Sequence, residues 1–135
     1  MSLPVPVRLN YGPMRMRLYE TAPTLEVSSG LLDGDLCGIY DAARDVIIID
    51  RRMTYTRKRC TLVHELVHRA HGDIGHQREL RCRLQTALLL VDRDAYIQAE
   101  RMYEGDRWLI ADELDLTVDV IDDYRLLLRY EGVGR

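Results

Sequence analysis

The feature that most constrains this chain is a five-residue stretch, His64-Glu65-Leu66-Val67-His68, inside a run from Thr54 to His71 whose apolar residues recur at helical spacing. In a helix the two histidines, four residues apart, project from one face and stand about 6 Å apart along the axis. Two imidazoles so placed can meet one zinc ion. Glu65 lies one residue off that face, so its carboxylate can reach the attacking water instead of the metal, as a general base for hydrolysis requires.

The flanks fit that helix. Thr54 or Thr56 supplies an N-cap, Val63, Leu66, Val67 and Ala70 supply an apolar stripe, and Gly72 supplies a stop. All four histidines, His64, His68, His71 and His76, fall between residues 64 and 76. Upstream, Leu36–Tyr40 and Val46–Asp50 read as two strands joined by the five residues 41–45, a length that closes hairpins. The unbroken apolarity of Val46 to Ile49 predicts burial on both faces of the second strand.

Zinc in a catalytic site ordinarily takes three protein ligands and leaves one position open, so the motif alone is incomplete. Downstream donors are His71, Asp73, His76, Glu79 and Cys82. His71 falls where the helix ends and suits a cation against the helix dipole. Glycine three residues past the second histidine, with a third histidine three further on, would mark a metzincin. His71 and Ile74 stand there, which excludes that class. Glu79 opens a second helix, read over about Gln77–Val91 with Leu80, Leu84, Ala87, Leu88 and Val91 apolar. Its position just after the chain reverses favours it as the third ligand, over an ordinary acid of the first helical turn. Cys82, one turn along, reads as core.

A chain of 135 residues, 47% of them hydrophobic, suits one domain with a real core. The expected layout is an N-terminal arm and loop over 1–35, a hairpin with metal-site helices over 36–91 and a helical tail over 92–135. The arm holds all four prolines; Met14–Tyr19 reads there as helix or loop, and Ser28-Ser29-Gly30 and Asp33-Gly34-Asp35 read as loop. The tail reads as helices over Asp94–Tyr103, Arg107–Leu114 and Thr117–Tyr130, with Asp94, Asp106 and Thr117 as N-caps. The N-terminus has no basic head or long apolar run, and no stretch reaches the length of a membrane span. Three widely spaced cysteines, Cys37, Cys60 and Cys82, suit reduced thiols. The expectation is a soluble, cytoplasmic protein.

The segments Arg57-Lys58-Arg59-Cys60-Thr61-Leu62-Val63-His64-Glu65-Leu66-Val67-His68, Glu79-Leu80-Arg81-Cys82 and Ala87-Leu88-Leu89-Leu90 resemble the ImmA/IrrE-like metallopeptidase family, in the compact form carried by phages of actinobacteria. The strand ending at Ile49-Asp50 and the stretch Ile110–Val118 are similar as well, so the resemblance covers about residues 36–130. It implies an α+β, zincin-like fold with a short hairpin packed on the motif helix, zinc held by His64, His68 and Glu79, and Glu65 as the catalytic base. It also implies a peptidase acting on a transcriptional repressor of the same mobile element. The chain departs from the family pattern at Val67, where glycine often precedes the second histidine, and at Val91-Asp92-Arg93, which lacks a proline.

Two rival readings come from other classes. One is an inactive protein of the same fold that binds a regulator without cutting it. The other is a helix-turn-helix over Ile110–Tyr130, with Ala111, Leu114, Leu116, Val118 and Ile121 as its core. Charge disfavours nucleic acid: the net charge is −3, and Asp119, Asp122 and Asp123 would open the recognition helix facing phosphate. The basic residues Arg51, Arg52, Arg57, Lys58 and Arg59 offer an acidic partner a surface, though such clusters are commonly solvated faces. For the developing oxyanion, His71, His76, Tyr96 and Tyr103 are the candidates.

Overall fold

The computed structural model describes residues 2–74 and 78–133, the last by its backbone alone. The fold is α+β. Among the described residues six helices accompany a three-stranded sheet, in the order α1 (Tyr11–Thr21), β1 (Glu26–Gly30), β2 (Gly38–Asp41), β3 (Val46–Asp50), α2 (Tyr55–His71), α3 (Glu79–Leu90), α4 (Arg93–Met102), α5 (Arg107–Leu114) and α6 (Val118–Val133). They fall into two compact units, Met1–Glu79 and Leu80–Arg135. None of these helices is long and apolar enough to cross a membrane.

In the first unit the sheet order is β1-β3-β2. β2 and β3 form the expected hairpin, antiparallel with Gly38 opposite Ile49 and Asp41 opposite Val46. β1 pairs parallel to β3 from the other side, Glu26 opposite Val46 through Gly30 opposite Asp50. Ser28, Ser29 and Gly30 are therefore strand and not loop. Backbone pairing to an apolar neighbour overrides their weak strand propensity. The β3 strand buries Ile47 and Ile49 completely but leaves Val46 and Ile48 half-buried, so one face is fully covered where two were expected.

Helix α2 covers that sheet, packing on β2, on β3 and on α1. Ile47, Ile49, Leu62, Val63, Leu66 and Val67, with Met14 and Leu18 of α1, make the buried core of this unit. The Thr54 hydroxyl caps α2 by accepting from the Arg57 N–H at 3.2 Å. Ala70, expected inside, is exposed; Leu62 takes its place in the core. The basic cluster is not a free face. Arg59 is buried with its Nε donating to the Val7 carbonyl, Arg52 is paired with Asp50, and Lys58 stands over the rings of Tyr11 and Tyr55.

The second unit is helical. Helix α3 buries Cys82, Thr86, Ala87 and Leu90 and leaves Leu80 and Leu88 exposed, so its inner face is rotated from the leucine row that the sequence suggests. Asp92, not Asp94, caps α4, accepting from the Ala95 N–H at 3.0 Å; Asp106 caps α5, and the Thr117 hydroxyl accepts from the Val120 N–H. Ile110 and Ile121 are fully buried where α5 meets α6. The Tyr96 and Tyr124 rings meet edge to face at 4.9 Å, and Arg83 of α3 grips the buried Asp123 of α6 with two hydrogen bonds.

Candidate metal centre

His64, Glu65, His68 and Glu79 all belong to the first unit. Between β3 and α2 the chain turns within four residues, and Asp50 fixes the turn. Its carboxylate accepts from the backbone N–H groups of Leu32 and Arg52 and from the Arg52 guanidinium, which together hold it well below the usual carboxylate range. With its start fixed there, α2 presents its middle turns to the sheet.

His64 and His68 project from one strip of α2, their rings 4.8 Å apart and nearly perpendicular. His68 is fully buried, and His64 is only slightly exposed. Glu79, the first residue of α3, comes back between them. One carboxylate oxygen lies 2.6 Å from His64 Nε2 and the other 3.0 Å from His68 Nε2. The His64 imidazole, and His68 after it, hold the Glu79 carboxyl down at about 2, against burial that pushes it up. The three side chains proposed as ligands are thus brought together, and each points a donor atom into one small volume.

Glu65 is buried on the neighbouring strip of α2. Gly38, the first residue of β2, lies against it: a methyl group on the Gly38 Cα would stand 3.3 Å from Glu65 Cγ and only 2.6 Å from Thr61 Cγ2. A side chain there would force the strand off the helix. The start of the edge strand therefore sits beside the carboxylate that the sequence casts as base.

Asp73 is not in the ligand volume. It stands behind His68, its Oδ2 2.9 Å from His68 Nδ1, with both groups buried. The signal for this lies in the helix stop: Gly72 adopts a left-handed conformation, and the next residue is folded back onto the last turns.

No family model, curated protein or solved structure matches this chain. Its chemistry rests on the site itself. Ligand atoms of His64 and His68 lie within 4.8 Å of one another. Two imidazoles with a convergent carboxylate form a donor set that fits a first-row divalent metal.

The remaining candidates are placed as follows. His71 is half-buried in the last residue of α2, and Cys82 is buried one turn past Glu79 on α3. His76 lies outside the described residues. Tyr96 and Tyr103 have structural partners within the second unit. The Tyr96 oxygen accepts from Arg125 Nε at 3.1 Å, and the Tyr103 hydroxyl donates to Glu113 at 2.7 Å. Neither hydroxyl is assigned to an oxyanion.

Proposed function

We propose that this chain is a zinc-dependent peptidase that cuts a repressor protein of the mobile element on which it is encoded. One observation carries the peptidase reading: Glu79 at the head of α3 meets His64 and His68 of α2, and Glu65 is buried on the adjoining strip of α2. The choice of a repressor rests on the family resemblance. The choice of zinc rests on the imidazole and carboxylate donors.

Zinc bound there would polarise the scissile carbonyl and acidify the attacking water. The protein's own residues do the rest. His64, His68 and Glu79 supply the donors, and Glu65 takes the proton of the attacking water and passes it to the leaving amine. The edge of the described sheet supplies a track for an extended peptide. The Asp50 N–H donates to the Cys37 carbonyl at 2.8 Å, which makes Cys37 and Asp50 a hydrogen-bonded pair. Alternation along the ladder then turns the N–H and C=O of Gly38 and Tyr40 outward, Gly38 being the residue that faces Glu65.

The test is zinc stoichiometry on protein purified without a metal-binding tag, for wild type and Glu79→Ala, followed by incubation of wild type and Glu65→Gln with the repressor of the same element. The expected result is about one zinc per chain, weakened in Glu79→Ala, with cleavage lost in Glu65→Gln while zinc is retained. Relief of repression that survives Glu65→Gln would instead identify a regulator that acts by binding. Absence of zinc uptake by the folded wild type would remove the metal reading.

A further inference from the structure

We propose that Asp73 is the positioning residue of this site, fixing the His68 ring so that its Nε2 faces the metal position. The inference rests on the metal reading above and adds a residue to it. Its basis is a coincidence of two structural jobs in one turn. Helix α2 stops because Gly72 takes φ +67°, so that the Gly72 N–H donates to the Arg69 carbonyl and the Asp73 N–H to the His68 carbonyl, each at 3.0 Å. The second of these bonds sets the Asp73 backbone against the backbone of His68. The Asp73 carboxylate then accepts from the ring of the same residue, Oδ2 to Nδ1, at 2.9 Å. Residue 73 is thus anchored to residue 68 through both main chain and side chain.

The chemical consequence concerns the tautomer. An imidazole that coordinates through Nε2 carries its proton on Nδ1, and a carboxylate accepting that proton favours this tautomer and stops the ring from turning. Asp73 lies at a buried position where a carboxylate without a donor would be costly, and His68 is fully enclosed, so the pair has little freedom to rearrange. Glu79 meets the other edge of the ring at Nε2. His68 is therefore held edge-on between a carboxylate that orients it and one that would share its metal.

The experiment uses the full chain with Asp73→Leu and Asp73→Asn, zinc affinity being read by competition with a chromophoric chelator. Histidine-labelled protein loaded with zinc is examined by NMR for the His68 ring protons. Asp73→Leu is expected to weaken zinc about 10- to 100-fold and to lose the slowly exchanging Nδ1 proton of His68. Asp73→Asn keeps an oxygen acceptor and should restore most of the affinity and the proton signal, which a residue that merely stops the helix would not require. Equal zinc affinity in wild type and Asp73→Leu, with Glu79→Ala weakened, would overturn the role of Asp73 and leave the metal site standing. If Asp73→Leu fails to fold, a His68 ring in zinc-loaded wild type with its proton on Nε2 would overturn the proposal by itself. Folded wild type that takes up no zinc would overturn the site and this inference together.

Discussion

Gly38 faces Glu65 across the junction of edge strand and helix, where a methyl group on its Cα would stand 3.3 Å from Glu65 Cγ. This approach sets how near the outward-facing backbone of β2 comes to the carboxylate read as the base. Replacing Gly38 by alanine puts a carbon 2.6 Å from Thr61 Cγ2 and 3.2 Å from Ile49 Cδ1. The expected cost is about 1–3 kcal/mol of stability from overpacking, read from the urea midpoint. Thr61→Ser removes the obstructing methyl, so the double variant should recover part of that loss, and strictly additive losses would show that the clash is elsewhere.

Gly72→Ala isolates the left-handed turn. A Cβ there would meet nothing within 4 Å, so its effect is conformational and not steric. A loss of about 1 kcal/mol is expected from placing a side chain at positive φ. Because the same turn carries Asp73, zinc affinity should fall alongside stability. Unchanged affinity in a destabilised variant would separate the helix stop from the metal site.

Asp45 gives the acid limb of the stability curve. Arg69 of α2 donates to both its oxygens, at 2.8 and 3.0 Å, and this pairing holds the carboxyl at about 2, below the ordinary 3.8, with Tyr40 and Thr24 donating as well. A depressed folded-state value means stability present above the unfolded value and lost as pH falls through the folded one. The contribution should thus be whole at neutral pH and fade between about pH 4 and 2. Asp45→Asn should cost on the order of 1–2 kcal/mol at pH 7 and leave a shallower acid limb, measured by urea unfolding across that range.

In the second unit Asp123 is buried while its partner Arg83 is partly exposed, with bonds of 2.5 and 3.2 Å. Removing the arginine strands a buried carboxylate. Arg83→Ala should therefore destabilise by about 2–3 kcal/mol at pH 7, read from the urea midpoint. Arg83→Ala combined with Asp123→Leu should regain much of the loss, since replacing both partners by apolar groups is far less costly than removing one.

How far the chain could be read without coordinates depended on whether a feature was local. The hairpin over 36–50 and the caps Thr54 and Gly72 are visible because strand runs, turn length and capping residues lie side by side in sequence. The convergence of Glu79 with His64 and His68 was anticipated from its place at the head of the next helix. Strand β1 was missed because only Val27 within it is buried, and its partner strand lies some twenty residues away. The inner face of α3 was misjudged because Leu80 and Leu88 are apolar yet exposed, while the buried Thr86 satisfies its hydroxyl on the Cys82 carbonyl. Asp73 was read only as a possible ligand, because its place behind His68 depends on a left-handed residue that brings it back.

The sheet order has a consequence for how such a site comes into being. The central strand, β3, is the last of the three in the chain, and β1 and β2 pair with it and not with each other. A nascent or truncated chain ending before Val46 would hold two strands with no partner. Once β3 is present, the four residues after it lead straight into the helix that carries both histidines. Closing the ladder and delivering the motif to its place therefore depend on the same strand.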